Sequence, residues 1–290
     1  MNNKGFICPL CGSALIKKDN AMHCIKGHSF DIAKEGYTYL LPPQKKRTKD
    51  PGDSKEMVNS RAEFLEAGFY DIFADALAEI CLNAAKKSKK TLHILDMGCG
   101  EGYYSRAISK KLSDLGINFE LIGIDIAKTA VRRAAKLAPN NCTYSVASCF
   151  SCPIKSEWAD IVINIFAPLA HEETSRILKK GGLFIYAVPG PMHLFGLKKV
   201  LYETPYENPI QKTDYDGFDF LGAIETEGNI HVTGSYVQDL FCMTPYYWKT
   251  PREGSERLAL CQKLDTPIQF RFLQYIKSVE STESTVSSRF

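Results

Sequence analysis

The sequence predicts an α/β fold in which a doubly wound parallel sheet follows a small metal-binding module. Three observations support this prediction. Apolar runs alternate with helical patterns from residue 91 onward, a glycine-rich turn follows the first run, and three cysteines and a histidine near the start have the spacing of metal ligands. The chain has 290 residues, 44% of them hydrophobic, which is enough for about two domains.

Residues 1–44 are predicted to be a zinc-binding module. Cys8, Cys11, Cys24 and His28 follow the pattern C-x2-C-x12-C-x3-H. Such spacing places three thiolates and an imidazole around one tetrahedral ion, and four protein ligands leave no open position, so the zinc should be structural. A segment this short buries little core, so metal binding would supply its folding energy. The alternative is a set of unrelated cysteines in a short basic segment.

Residues 45–90 are predicted to contain a linker and one or two helices. The sequence KKRTKDPGDS, residues 45–54, breaks regular structure at Asp-Pro-Gly, and Asp53 or Ser54 can cap the helix that follows. Between Lys55 and Lys90, apolar residues recur at mostly helical spacing, with an interruption near Gly68.

The next region, residues 91–276, contains five runs that predict buried parallel strands, separated by helical patterns. The runs are Leu92 to Leu95, Phe119 to Ile124, Cys142 to Val146, Asp160 to Ile165 and Leu183 to Val188. The turn 179–182, Lys-Lys-Gly-Gly, fits a helix end before the fifth strand. Residues 191–220 predict an inserted loop, 229–232 and 268–276 predict closing strands, and the tail 277–290 predicts disorder.

The turn after the first strand, LDMGCGEGYYS, predicts a cofactor loop. Glycines at positions 98, 100 and 102 let backbone approach a ligand, while Asp96 and Glu101 offer acceptors for an ammonium group. The spacing is G-x-G-x-G with a preceding acid rather than the dinucleotide pattern G-x-G-x-x-G, which favours S-adenosylmethionine over NAD.

Asp125 ends the second strand, 27 residues after Gly98, where a carboxylate can accept hydrogen bonds from both ribose hydroxyls. The alternative is that the glycine-rich turn is only a tight connection between a strand and a helix, and that Asp125 only caps the helix after its strand. Farther along, residues 147–149 lie where an adenine edge could contact backbone amides. Cys149 and Cys152 form a C-x2-C without a second pair, so reduced thiols are the preferred interpretation over a metal site.

Charge and cysteine content constrain the partners. Residues 1–49 hold 9 Lys and Arg against 3 Asp and Glu, a balance of +6, whereas the remainder holds 27 against 30. A basic front end favours an anionic partner such as nucleic acid, the alternative being a solvated lysine-rich surface. The sequence shows no apolar run long enough for a membrane span and no signal-peptide pattern, so we expect a cytoplasmic protein. In a reducing compartment, the ten cysteines suggest thiols and a metal site rather than disulfides.

The order of the motifs resembles the bacterial 23S rRNA (guanine-N1)-methyltransferases. The similarity runs from Cys8 to about Ile276 and includes the cysteine and histidine motif, FDIAKEGYTYLL, KKRTKDPGDS, RAEFLEAGFY, LDMGCGEGYYS, IFAP and VPGPMHL. It implies a Rossmann-like class I methyltransferase sheet with a small N-terminal zinc ribbon, and methyl transfer from S-adenosylmethionine to N1 of a guanine in a 23S rRNA hairpin loop. A homodimer is an expectation from the family.

The resemblance also implies residue roles. It places structural Zn²⁺ on Cys8, Cys11, Cys24 and His28, and S-adenosylmethionine along Gly98, Gly100, Glu101 and Asp125. It adds Tyr70 of AGFY and His193 of GPMHL as cofactor contacts. From the residues alone, Tyr70 could equally belong to a helix core and His193 to a loop surface.

The substrate side is less defined by the sequence. Guanine N1 carries a proton at neutral pH, so a base or a path to solvent must remove it, and no residue is identified as catalytic. Phe166, in the segment 164–168, either stacks on the base or packs in the core. Basic residues of the linker are expected to contact phosphates; they are Lys45, Lys46, Arg47 and Lys49. Two other functions stay open: a small-molecule methyltransferase, and a zinc-dependent RNA-binding protein without catalysis.

Overall fold

The computed structural model describes residues 5–45, 51–86 and 90–278. Three of the linker's basic residues, Lys46, Arg47 and Lys49, lie outside these ranges, as does the predicted disordered tail from residue 279 onward. A three-stranded antiparallel sheet near the N-terminus is formed by β1 (Ile16–Lys18), β2 (Ala21–His23) and β3 (Ser29–Asp31).

The main sheet has eight strands within the described residues. They are β4 (Thr38–Tyr39), β5 (Leu92–Met97), β6 (Phe119–Asp125), β7 (Cys142–Val146), β8 (Ala159–Ile165), β9 (Leu178–Pro189), β10 (Phe218–Thr233) and β11 (Lys263–Lys277). Their order is β10-β11-β9-β8-β5-β6-β7-β4. Strands β4 to β9 pair in parallel, and β11 pairs antiparallel with both β9 and β10. The five predicted parallel strands are therefore confirmed.

Eight α-helices accompany these strands in the described part of the chain. They are α1 (Lys55–Glu66), α2 (Asp71–Ala85), α3 (Tyr103–Asp114), α4 (Lys128–Lys136), α5 (His171–Ile177), α6 (Phe195–Leu201), α7 (Tyr236–Cys242) and α8 (Arg252–Ala259). None of these described helices combines the length and apolar character that a membrane crossing requires.

The prediction of one or two helices before β5 is confirmed, since the structure has two, α1 and α2. Ser54 caps α1, because its Oγ accepts a hydrogen bond from the Met57 amide at 3.2 Å. The break between α1 and α2 occurs at Gly68, whose φ of +84° lies in the left-handed region that terminates helices. This turn fixes the entry of α2, where Tyr70 is the N-cap residue.

Predicted boundaries in the later part of the chain are wrong at four elements. One is β11, which begins at Lys263 instead of residue 268 and ends at Lys277, inside the predicted tail. β9 begins at Leu178 instead of residue 183, because residues 179–182 form a bulge opposite β8 rather than a turn outside the sheet. The segment 191–220, predicted to be a loop, contains α6 and the start of β10. A helix of seven residues such as α6 is too short to show a clear helical period in its apolar residues. β10 starts at Phe218 instead of residue 229. It is an edge strand with much of its length exposed, so apolar alternation is weak there.

The main sheet buries two apolar faces, which are covered differently. Alternate strand residues such as Ile94 and Ile163 face one core with α2 and α3, while Leu95 and Val162 face the other. The second core is covered by α5 and by apolar side chains of the N-terminal segment, namely Phe6, Leu15, Met22 and Leu40. The N-terminal segment therefore takes a place that helices occupy in an ordinary doubly wound sheet.

Backbone hydrogen bonds also attach this segment to the chain between β7 and β8. The Ile7 amide donates to the Pro153 carbonyl at 2.8 Å, and the Lys155 amide donates to the Gly5 carbonyl at 3.0 Å. β4, although it lies within residues 1–44, pairs with the carboxyl end of β7. The module is thus joined to the main sheet near the edge where ligands bind in open α/β sheets.

Candidate functional site

The glycine-rich turn after β5 lies at the carboxyl end of the parallel strands. Its three glycines have left-handed φ values of +87°, +54° and +80° at positions 98, 100 and 102. A Cβ built at Gly98 would lie 2.7 Å from the Ala167 Cβ, so backbone passes very close to the segment after β8. The loop needs glycine at this position for both its conformation and its packing.

Asp125 anchors the turn to the end of β6. Its Oδ2 accepts a hydrogen bond from the Gly100 amide at 3.0 Å, and its Oδ1 accepts one from the Ala127 amide at 2.8 Å. Each carboxylate oxygen has two lone pairs, so both oxygens keep capacity for a further donor. The predicted neighbours Gly98, Gly100 and Asp125 are therefore brought together, in an arrangement that suits a ribose diol.

Two buried carboxylates flank the turn and lack partners for one oxygen each. Asp96 is 1% exposed and Glu101 is 3% exposed. Ser105 donates to Asp96 Oδ2 at 2.6 Å, but Asp96 Oδ1 and Glu101 Oε2 have no hydrogen-bond partner. Burial raises the pKa of Asp96 to about 7 and also raises the pKa of Glu101. Unsatisfied buried acceptors are costly, so these two atoms fit a ligand that carries an ammonium group.

Tyr70 and His193 form a buried pair beside this edge. His193 is 7% exposed, so its predicted alternative as a loop-surface residue is wrong. Its Nδ1 accepts a hydrogen bond from the Gln269 amide at 3.2 Å, and burial lowers its pKa to about 3. The ring is therefore neutral with its proton on Nε2, which lies 3.3 Å from the Tyr70 hydroxyl and donates to it. The Tyr70 proton remains available to an acceptor.

The segment after β8 carries an exposed aromatic ring. Phe166 has φ +50° and is 43% exposed. Its ring stacks near Phe73, with centroids 5.7 Å apart, and near His193, at 5.9 Å. Nearby Asn164 is fully buried, and its Oδ1 has no partner. This segment therefore presents a ring that has two aromatic neighbours and is still partly exposed.

The four predicted zinc ligands lie together. One ligand atom from each of Cys8, Cys11, Cys24 and His28 falls within 4.8 Å of the others. Turns hold both pairs: the Gly12 amide donates to the Cys8 carbonyl at 2.8 Å, and the Cys24 amide donates to the His28 carbonyl at 3.0 Å. Three thiols and an imidazole on two turns match the donor set of a closed tetrahedral zinc site.

Cys149 and Cys152 do not join a comparable cluster. The cysteine and histidine group near the N-terminus is the only potential metal-binding group within residues 5–45, 51–86 and 90–278. Ser148, in the loop proposed to meet an adenine, accepts a hydrogen bond from the Phe150 amide through its Oγ at 3.2 Å. The Ala147 amide donates to the Asp125 carbonyl at 3.0 Å, which places this loop beside Asp125.

Sequence reasoning missed Arg61, which lies at the same edge. Its Nη1 forms an ion pair with Asp53 Oδ2 at 2.6 Å and faces the glycine-rich turn. Gln269, which sets the tautomer of His193 through its backbone amide, was also missed. Neither could be identified from the chain alone, because one is an arginine on an amphipathic helix and the other acts through its backbone.

Comparison with known proteins supports both parts of the molecule. Residues 6–49 match the zinc-ribbon family model described as RlmA, N-terminal, and residues 94–182 match the model described as a methyltransferase domain. The strand order and the glycine-rich turn agree with the second match, and the fold is that of class I methyltransferases with an N-terminal zinc ribbon.

Three relatives are similar over long stretches. The 23S rRNA (guanine(748)-N(1))-methyltransferase of Streptomyces fradiae is 31% identical over 67% of this chain and 66% of its own length. A candidate 23S rRNA (guanine-N1)-methyltransferase of Micromonospora griseorubida is 31% identical over 66% of this chain and 67% of its own length. Another candidate, YxjB of Bacillus subtilis, is 28% identical over 92% and 95%. The chain belongs to the 23S rRNA (guanine-N1)-methyltransferase family.

Proposed function

We propose that this protein transfers a methyl group from S-adenosylmethionine to N1 of a guanine in a hairpin loop of 23S rRNA. The observation that carries this proposal is the glycine-rich turn with two buried carboxylates that each lack a partner for one oxygen. Membership of the family supports the choice of substrate. A small-molecule methyltransferase would also use the turn, but it would have no use for a basic zinc ribbon attached beside the site.

The cofactor site is proposed to use six residues. Gly98 and Gly100 allow close approach of the ligand, Asp125 accepts from the ribose hydroxyls, and Glu101 accepts from the ammonium group. Tyr70 donates its hydroxyl proton toward the ligand because His193 already donates to the tyrosine oxygen. The bound cofactor supplies an electrophilic methyl group on a sulfonium, and the protein contributes position and exclusion of water.

The guanine is proposed to stack on the exposed part of the Phe166 ring. Phe73 and His193 contact the same ring, so its orientation is fixed before the base arrives. N1 must lose its proton when the new N–C bond forms. The segment 164–168 carries no ionisable side chain, so we propose that solvent accepts this proton and that the residues mainly position the base.

The zinc ribbon and the linker are proposed to approach the RNA. Lys45, Lys46, Arg47 and Lys49 connect the ribbon to the catalytic region, and they would contact phosphates beside an unpaired target base. We propose residues 1–44, 45–90 and 91–276 as the zinc, linker and methyltransferase units, with 277–290 outside them. We also propose a homodimer in the cytoplasm, which light scattering and cell fractionation would test.

A transfer assay tests the main proposal. Purified protein with methyl-labelled cofactor should label a 23S rRNA transcript and leave small metabolites unlabelled. Reverse transcription of rRNA from a knockout strain should lose one stop, since a methyl on the pairing edge of guanine blocks copying. Cofactor binding without labelling of any RNA would favour a different substrate, and RNA binding without any heat of cofactor binding would favour a non-catalytic RNA-binding protein.

A further inference from the structure

Arg61 projects from α1 toward the glycine-rich turn. Its guanidinium donates to Asp53 Oδ2 at 2.6 Å through Nη1 and to the Met243 carbonyl at 3.3 Å through Nη2. The side chain is 25% exposed. A guanidinium has five N–H donors in a planar fork, so these two contacts leave three donors for another acceptor.

The distance to the turn is short. A Cβ built at Gly100 would lie 4.0 Å from Arg61 Nη1. Burial would lower the pKa of Arg61, but the negative charges of Asp53, Glu101 and Asp125 outweigh burial and raise it. Arg61 is therefore a permanent positive charge placed among carboxylates at the cofactor loop.

A ligand that ends in an amino acid carries an ammonium and a carboxylate on the same carbon. The unpaired oxygens of Asp96 and Glu101 suit the ammonium of such a ligand, but their negative charges would repel its carboxylate. Arg106 also lies near the turn, but it donates to the Glu101 carbonyl at 3.0 Å and pairs with Glu66. Arg61 instead makes its two contacts outside the turn, with Asp53 and Met243, while its Nη1 lies beside Gly100.

We propose that Arg61 binds the α-carboxylate of the cofactor and that Asp53 positions it. This inference rests on the proposed function, because it assumes that the turn holds S-adenosylmethionine or its product. An arginine fork can donate two parallel hydrogen bonds to a carboxylate, which a lysine at the same place could not reproduce.

The linker supplies the positioning residue through close backbone packing. Gly52 has φ +89°, and a Cβ there would lie 2.8 Å from the Ala127 Cβ and 3.0 Å from its amide nitrogen. Residues 51–54 are thus pressed against the chain immediately after Asp125. This contact fixes Asp53 over the same strand end that carries the proposed ribose ligand, and Asp53 in turn holds the Arg61 side chain.

Two ligands that differ only in the carboxylate separate this role from a merely structural ion pair. They are S-adenosylhomocysteine and its decarboxylated analogue, S-adenosyl-3-thiopropylamine. Calorimetry should show that R61Q weakens binding of S-adenosylhomocysteine by about 10- to 100-fold, in line with a charge-assisted hydrogen bond. Affinity for the decarboxylated analogue should change by less than about 3-fold, because that ligand makes no contact of this kind.

A second variant protects the test against misfolding and charge effects. D53N/R61Q removes both members of the ion pair, so it leaves no uncompensated charge and keeps the net charge of the site unchanged. It should show the same selective loss of S-adenosylhomocysteine binding. R133Q, which removes an arginine of α4 that pairs with Glu63 of α1, should bind both ligands like the wild type.

The outcomes distinguish this inference from the proposed function. Equal weakening of both ligands in R61Q and in D53N/R61Q, or no weakening of either, would overturn the role of Arg61 while leaving a cofactor site in place. Failure of the wild-type protein to bind either ligand would instead overturn the cofactor assignment itself, and the inference with it.

Discussion

Gly98 marks the closest approach between the cofactor loop and the segment that carries Phe166. We predict that Gly98→Ala lowers cofactor affinity by more than about 10-fold and destabilises the fold by about 1 to 3 kcal/mol, because the new methyl group meets Ala167 at 2.7 Å in a left-handed backbone. Calorimetry and denaturant unfolding would measure the two effects.

Gly217 provides a matched control for this substitution. Its φ of +74° is also left-handed, but a Cβ there would meet nothing within 4 Å. Gly217→Ala should therefore show only the conformational cost and retain cofactor affinity. Equal affinities in the two variants would mean that contact with Ala167 does not shape the cofactor loop.

Asp96 should make the ligand-free protein less stable as pH rises. Burial raises its pKa to about 7, while an unfolded chain gives an aspartate pKa of about 4. Between these values the folded state keeps a proton that the unfolded state has lost, so the free energy of unfolding falls as pH increases from about 4 to 7. Above that window the full penalty of a buried charge is present.

The substitution Asp96→Asn tests this directly. Asparagine can still accept a hydrogen bond from Ser105 but carries no charge. The variant should therefore be more stable than the wild type at pH 8 by a few kcal/mol, since each pKa unit corresponds to ~1.4 kcal/mol. Urea unfolding without ligand at pH 5 and pH 8 provides the measurement. A difference between the two proteins that is independent of pH would contradict the buried-charge explanation.

At the scale of elements, α6 and the segment after it are held by one buried ammonium. Lys198 Nζ donates to the Tyr206 carbonyl at 2.9 Å and to Asn208 Oδ1 at 2.7 Å. The Asn208 amide group in turn donates to the carbonyls of Gly190 and His193, each at 2.9 Å. The loop that carries His193 thus depends on contacts made by the chain that follows α6.

We predict that Lys198→Met speeds amide hydrogen exchange at Asn208, whose backbone N–H bonds to the Pro191 carbonyl at 2.9 Å. Methionine keeps apolar volume near the tyrosine rings but removes the two hydrogen bonds. Lys199→Met is the control, because Lys199 is exposed and belongs to the same helix. Equally slow exchange at Asn208 in both variants would contradict the proposal that Lys198 holds this segment in place.

The basic linker makes a prediction of its own. Replacement of Lys45, Lys46, Arg47 and Lys49 by glutamine should weaken RNA binding and reduce the salt dependence of affinity, since each lost phosphate contact lowers the log–log slope by ~0.7 to 0.9. Cofactor affinity should not change. A K110Q/K111Q variant, which removes charge from α3, is the comparison, and an unchanged RNA affinity in the linker variant would contradict the proposal.

On the scale of the whole molecule, the zinc ribbon is part of the core. Phe6, Leu15 and Leu40 cover the sheet face that also contains Leu95 and Val162. Loss of the metal should therefore disturb the catalytic sheet as well as the ribbon, because an uncovered apolar face loses its hydrophobic stabilisation.

We predict that chelation of zinc, or the substitution Cys11→Ser, lowers the melting temperature of the entire protein and speeds amide exchange at Val162. Cys261→Ser, at a cysteine outside the cluster, should have little effect. Melting and hydrogen exchange by mass spectrometry give the readout. If the ribbon were independent, its loss would leave exchange in β8 unchanged.

The sequence determined features that depend on local patterns. The spacing of Cys8, Cys11, Cys24 and His28 requires two turns that meet, and the buried strands carry continuous apolar runs, so both were predictable. The boundaries of β9, α6 and β10 were not, because a bulge, a short helix and an exposed edge strand leave little periodicity.

Long-range packing decided the remainder. His193 is buried among partners that are distant in sequence, since the Gln269 amide and the Tyr70 hydroxyl come from segments 76 and 123 residues away. Arg61 faces the cofactor turn because Asp53, which pairs with it, is pressed against the end of β6. The ribbon covers one face of the sheet, where α5 is the only helix among the described residues, and the other helices lie on the opposite face. Such contacts form when segments that are distant in sequence pack together, and no local residue pattern encodes that packing.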